Sequence, residues 1–188
     1  MDEVVSVLDS KHSALVRRLR TDLERACGPH GLALDAGAHF AYHAASQYDE
    51  PALAARLRQF ARDTAAFRVH TSGLAIVTDP QPVLSIQVVR SPFLSQVQAE
   101  LWHEVQPTAT EAAIDHAPQR WRPQIVLAAG PGIRDRLPHM VQLLAGRAFD
   151  WDVHINNLAF VRDASASQEP GFRYLLEGHV RLWWSEYD

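Results

Sequence analysis

The chain has 188 residues, 47% hydrophobic and 21% charged, a composition typical of a globular protein that is long enough to bury a substantial core. Its net charge of -4 and isoelectric point near 6.2 argue against a large basic surface for long double-stranded nucleic acid. No apolar run approaches the roughly 18 residues that a membrane span requires.

Compartment and redox state are predicted from what the sequence lacks. The first residues, Met1-Asp2-Glu3, are acidic and do not have the positive start of a signal peptide. Cys27 is the only cysteine, so no internal disulfide is expected. These features predict a cytoplasmic protein of bacterial type.

Hydrophobic periodicity and turn residues divide the first half of the chain into strands and helices. The predicted elements are a strand at 4–8, a helix capped by Ser10 and closed at 28–31, a strand at 38–45, a helix capped by Asp49 that runs to about residue 65, strands at 67–77 and 83–89, and a helix capped by Ser91. Gly73 is expected to bend or bulge the longer of the two paired strands.

The second half repeats this order after a link at residues 106–120. A strand at 123–129 is followed by a helix that starts near Asp135 and is closed by Gly146, and then by strand regions at 149–161 and 172–184. Short turns between strands favour antiparallel sheets with helices packed outside, an α+β fold. We therefore predict one two-lobed domain over residues 1–188, with a first repeat at about 38–90 and a second at about 122–184.

Two matching strand starts are the candidate site. The first is Ala38-His39-Phe40-Ala41-Tyr42-His43, and the second is Pro123-Gln124-Ile125-Val126-Leu127. Strand alternation predicts that His39, Ala41 and His43 share one face and that Phe40 and Tyr42 share the other.

These stretches resemble motifs of the two-histidine phosphoesterase superfamily, which includes bacterial 2'-5' RNA ligases and 2',3'-cyclic phosphodiesterases. His39-Phe40-Ala41-Tyr42 stands where the family has His-x-Thr/Ser-x, and residues 121–128 stand where it has Trp-x-Pro-His-Ile-Thr-Leu-Ala. The resemblance implies two pseudo-symmetric lobes of antiparallel sheet, outer helices and a central cleft. It also implies two histidines that flank one phosphate and exchange protons with it, and two hydroxyls that hold the phosphate oxygens, with no metal or other cofactor.

Three of the four motif side chains are replaced in this sequence. Ala41 and Val126 lack hydroxyls, and Gln124 has an amide that donates hydrogen bonds but does not exchange protons near neutral pH. Loss of a positioned acid or base typically costs ~10²–10⁴ in rate. The resemblance therefore places His39 and Gln124 at the catalytic positions and predicts that phosphodiesterase chemistry is lost or strongly weakened.

The expected ligand is a nucleotide or a short RNA end with a terminal or cyclic phosphate. Ala41, Val126 and Arg122 are the predicted substrate-binding positions, together with His43, which lies about 13 Å further along the strand and is expected to contact a neighbouring nucleotide. No spacing of His, Cys, Asp and Glu indicates a zinc site. Two alternatives stay open: an active phosphodiesterase or ligase that uses His39 with Gln124, and an interaction module with a vestigial cleft.

Overall fold

A computed structural model describes residues 1–29, 37–162 and 170–178. Its helices are α1 (Ser10–Cys27), α2 (Glu50–Asp63), α3 (Pro92–Val105) and α4 (Leu137–Leu144). Its strands are β1 (Asp2–Val7), β2 (His39–Tyr48), β3 (Phe67–Val77), β4 (Val83–Val88), β5 (Ala109–Ala112), β6 (Gln124–Ala129), β7 (Asp152–Ile155), β8 (Asn157–Val161) and β9 (Pro170–Leu175). The last part of the strand region predicted at 172–184, from residue 179 onward, lies outside the described residues.

The strands form two antiparallel sheets, which confirms the predicted α+β class. One sheet has five strands in the order β5-β2-β1-β8-β9, and the other has four in the order β6-β4-β3-β7. Helices α2 and α3 pack on the five-stranded sheet, while α1 packs on the four-stranded sheet and α4 packs against α1. Each half of the sequence supplies strands to both sheets, so the two sequence repeats are interleaved in space.

The buried face of each sheet joins one continuous hydrophobic core. Residues from β2, β4, β6 and α4 all contribute fully buried side chains to it, as Phe40, Ile86, Ile125 and Leu144 illustrate. Since burial of each such side chain stabilises the fold by roughly 1.5–3 kcal/mol, this shared core holds the two sheets together.

Two of the predicted helix caps are confirmed, and the third is wrong. Asp49 and Ser91 accept hydrogen bonds at the starts of α2 and α3, as predicted. Helix α1 is capped by Asp9 and not by Ser10, because the Asp9 carboxylate accepts from the backbone N–H of His12.

Two other boundaries differ from expectation. The link at 106–120 contains the edge strand β5, which its low hydrophobicity concealed. The region 149–161 is split at Asn156 into β7 and β8, which belong to different sheets. The bulge expected at Gly73 is confirmed: its φ is 125°, and the register of β3 against β4 shifts there.

Within the described ranges no helix has the length and apolar character needed to cross a membrane.

Strand bounds around the candidate site agree with the prediction closely. Both β2 and β6 begin at the polar residue of their motif, His39 and Gln124 respectively.

Candidate functional site

His39 is held at the first residue of β2 by two oxygen acceptors. Its ring Nδ1 lies 2.8 Å from the carbonyl oxygen of Gly37, and its Nε2 lies 3.3 Å from Oε2 of Glu3. A ring that carries a proton on both nitrogens satisfies both acceptors, whereas a neutral ring satisfies only one. The His39 side chain is 18% exposed, so it is accessible but is already fully engaged.

Glu3 reaches His39 from the far end of β1. In the register of β1 and β2, Glu3 pairs with Ala44 and Val7 pairs with His39, while the Val5–Ala41 pair lies between them. The two long side chains therefore meet over the small residues Val5 and Ala41. Glu3 was not predicted as a site residue, because it lies 36 positions before His39 and belongs to no motif.

The charge state of Glu3 follows from its surroundings. Burial raises the pKa of its carboxyl, but the hydrogen bond from His39 and the charges of His39 and His116 outweigh this, so the net pKa is lowered. Glu3 is consequently ionised at neutral pH. The Glu3 carboxylate therefore places a negative charge beside His39.

Ala41 belongs to an apolar surface on the side of the sheet opposite the main core. It packs against a small cluster formed by Val5, Val7, Ala159 and Val161. In the resemblance, the position of Ala41 carries a hydroxyl that holds a phosphate oxygen. In this chain Ala41 presents a methyl group beside His39 and has no hydroxyl to offer a ligand.

His43 does not share the face of His39 and Ala41, and the predicted alternation is wrong at this point. The β1–β2 register shifts between Val4 and Val5, which leaves Tyr42 as an extra, bulged residue on β2. The bulge turns His43 into the helix-covered core, where its Nδ1 lies 2.5 Å from the hydroxyl of Tyr48 and its Nε2 lies 3.1 Å from Oε1 of Gln106.

Burial also fixes the protonation of His43. His43 is fully buried, and its ring centroid lies 4.4 Å from that of Trp102. Burial lowers the pKa of His43 to about 4, although the hydrogen bond to Gln106 acts in the opposite direction. The ring is neutral, accepts from Tyr48 and donates to Gln106, and it has no surface to offer a neighbouring nucleotide.

Gln124 is oriented by a residue of the adjacent strand. The hydroxyl of Ser85 on β4 donates to Oε1 of Gln124 at 2.8 Å, and Ser85 is fully buried. This bond directs the Nε2 group of Gln124 away from β4, and Nε2 has no hydrogen-bond partner among the residues that the structure describes. Gln124 itself is half-buried, so its amide presents N–H donors and no ionisable group.

Val126 follows Gln124 on the same face of β6, as Ala41 follows His39 on β2. Its backbone carbonyl accepts from Nη2 of Arg20 at 2.8 Å. Burial lowers the pKa of Arg20 to about 10, which still leaves the guanidinium charged at neutral pH. Arg20 therefore fixes the backbone of β6 from the helix side, a role that the helical pattern of α1 did not reveal.

Trp121 connects the two motif strands. Its indole Nε1–H donates to the carbonyl oxygen of Ala41 at 2.7 Å, and its ring stacks on Tyr42 with centroids 5.8 Å apart. Strands β2 and β6 also contact each other directly. Arg122, the next residue, is exposed and has no described hydrogen bond or ion pair.

A surface depression lies away from these residues. It has a volume of about 520 Å³ and is lined at the β3 bulge by residues that include His70, Ser72, Arg147 and Asp150. None of the predicted site residues lines it. Across the described part of the chain, no group of His, Cys, Asp and Glu side chains has the arrangement of a metal site.

Comparison with solved structures identifies the fold. The chain is similar to TT0787 of Thermus thermophilus, with a TM-score of 0.66 and 15% identity over 94% of this chain and 98% of that one. It is also similar to E. coli LigT, whose structure is a complex with NADP+, with a TM-score of 0.56 and 12% identity over 94% and 97% of the two chains.

The chain shares the fold of TT0787 and LigT. At these identities the similarity concerns the fold alone. No family model and no curated protein sequence matches the chain.

Proposed function

We propose that this chain is a nucleotide-binding protein of the 2'-5' RNA ligase type in which phosphodiesterase chemistry is lost or strongly weakened. Its ligand is a nucleotide or a short RNA end with a terminal or cyclic phosphate. The phosphate lies between His39 and the amide of Gln124, and Ala41, Val126 and Arg122 border it. The observation that carries this proposal is the absence of a proton-exchanging pair at the two motif positions.

The chemistry of the pair supports binding over turnover. A two-histidine mechanism needs one ring nitrogen to take a proton from the attacking group and another to protonate the leaving oxygen. Gln124 does neither, and both nitrogens of His39 already face acceptors, Gly37 and Glu3. The loss of one acid–base partner alone corresponds to ~10²–10⁴ in rate.

The geometry of Gln124 supports the retention of a binding role. Its orientation by buried Ser85 keeps an N–H donor directed away from β4, and such a donor suits a phosphate oxygen. Arg122 adds an exposed guanidinium on the residue two positions before Gln124. The complex of LigT with NADP+ is a nucleotide complex on the same fold.

The test compares the wild-type protein with two engineered variants. One is Ala41→Thr/Gln124→His/Val126→Thr, and its matched control is Ala41→Thr/Val126→Thr, which restores both hydroxyls without the second histidine. Each is titrated with a 2',3'-cyclic nucleotide by calorimetry, and each is incubated with that nucleotide and with a short 2'-5' linked oligonucleotide, with products separated by chromatography.

We expect wild type and the hydroxyl control to bind without turnover and the triple variant to release product at a rate at least about 100-fold above both. Clear turnover by wild type that His39→Ala abolishes would contradict the proposal and favour the one-histidine enzyme. Absence of nucleotide binding by wild type would instead favour an interaction module.

A further inference from the structure

We infer that Glu3 determines the specificity of this site: it neutralises His39 and limits the negative charge of the phosphate that the site accepts. This inference rests on the proposed function, since it concerns the ligand of the same site. It assigns a role to a residue of β1, outside both motifs.

Both ring nitrogens of His39 are engaged, one by the backbone and one by a side chain. Its Nδ1 is engaged by the carbonyl of Gly37 at 2.8 Å, which belongs to the backbone directly before β2. Its Nε2 is engaged by Glu3, whose side chain is 26% exposed and anchored on the central strand of the sheet. A ligand that uses His39 must therefore approach the same nitrogen as Glu3.

A phosphate bound at Nε2 of His39 must lie close to the Glu3 carboxylate. Oε2 of Glu3 lies 3.3 Å from Nε2 of His39. A phosphate oxygen that accepts from this Nε2 must lie within about 3 Å of it, so the phosphate oxygen and the carboxylate oxygen are separated by about 6 Å at most. Two anions at this separation, beside a partly buried surface, repel each other strongly.

The Glu3 carboxylate also lies close to Ala41. Glu3 and His39 meet over Ala41, because Ala41 and its partner Val5 lie between them in the register. In the proposed function the phosphate contacts His39 and is bordered by Ala41. The Glu3 carboxylate therefore lies beside the proposed position of the phosphate.

The charge balance around the pair leaves little compensation. Besides His39, two titratable groups act on Glu3: His116 and the N-terminus. Burial lowers the pKa of His116, which favours its neutral form. With His39 and Glu3 paired, the motif on β2 has no net positive charge, and a phosphodiester monoanion fits it better than a phosphomonoester dianion.

The test is a Glu3→Gln variant, which is nearly isosteric and removes only the charge. Wild type and variant are titrated at pH 8 with adenosine 2',3'-cyclic phosphate, a monoanion, and with adenosine 2'-phosphate, a dianion at this pH. Glu104→Gln is the matched control, because Glu104 is an exposed carboxylate on α3 that pairs with Arg56. Circular dichroism confirms that each variant is folded.

We expect Glu3→Gln to raise affinity about tenfold for the cyclic phosphate and by a clearly larger factor for the dianion, while Glu104→Gln changes neither. In a double-mutant cycle, His39→Gln should abolish this gain, since the effect passes through one nitrogen. Equal affinities of wild type and Glu3→Gln for both ligands would overturn the inference and leave the proposed function intact.

Other outcomes separate the two proposals. If wild type binds neither nucleotide and Glu3→Gln binds them, the role of Glu3 is supported and nucleotide binding by the natural chain is refuted. If neither protein binds either nucleotide, both proposals are refuted.

Discussion

The buried imidazole of His43 gives a quantitative prediction about pH and stability. Its pKa falls from 6.5 to about 4 on folding because the ring is buried, so the unfolded chain binds a proton that the folded chain does not bind between these values. Stability supplied by the neutral ring is fully present above pH 6.5 and is lost progressively as the pH falls toward 4. A shift of this size corresponds to about 3 kcal/mol in the free energy of unfolding.

The assay is urea unfolding at a series of pH values from 7.5 to 4, followed by circular dichroism, for wild type and His43→Gln. Glutamine does not titrate in this range, so the variant should lose about 3 kcal/mol less than wild type over the series. Burial also lowers the pKa of His116, which destabilises both proteins in acid, and the difference between them isolates His43. His139→Gln, an exposed helical position, is the control and should follow wild type.

Parallel curves for wild type and His43→Gln would refute this reasoning, because they would show that the ring titrates normally in the folded protein. The same variant tests the placement of His43 in the core. Since the ring lies among Tyr48, Trp102 and Gln106, nucleotide affinity at pH 8 should stay within about twofold of wild type. A large loss of affinity would place His43 back among the ligand-binding residues.

Two further substitutions test how the site is held in place. Ser85→Ala removes the hydrogen bond that orients Gln124, so it should weaken nucleotide binding several-fold in calorimetry and cost about 1 kcal/mol of stability in urea unfolding. Ser46→Ala, at an exposed position on β2, is the control. Equal losses of affinity in the two variants would contradict an orienting role for Ser85. Trp121→Phe removes the indole hydrogen bond to the carbonyl of Ala41. It should lower the free energy of unfolding by about 1–3 kcal/mol, because that part-buried acceptor is left unpaired. No measurable change in urea unfolding would show that this link between β2 and β6 does not stabilise the fold.

The secondary structure around the site was predictable from local chemistry. Proline and capping residues marked the starts of α2 and α3, and the strand starts at His39 and Gln124 followed from polar residues that open apolar runs. These signals act over a few residues, so one sequence is enough to read them. The fold was predictable for a different reason, namely the resemblance of residues 39–42 and 121–128 to known motifs.

The contacts that decide the chemistry were not predictable in this way. Glu3 lies 36 positions from His39, and Ser85 lies 39 positions from Gln124, and neither pair has a spacing that a motif or a periodicity marks. Strand pairing across β1–β2 and β4–β6 brings them together. Only the register of each pair determines which side chains share a face.

The sequence by itself determined most of the elements, the α+β class and the replacement of three motif side chains. Tertiary structure decided what surrounds the side chains that remain. A single bulged residue, Tyr42, moves His43 from the predicted site to the core, because one extra residue reverses the alternation of a strand. The same register lets Glu3 reach His39 over Ala41 and Val5. The negative charge beside His39 therefore depends on the pairing of β1 with β2 and not on the local sequence around His39.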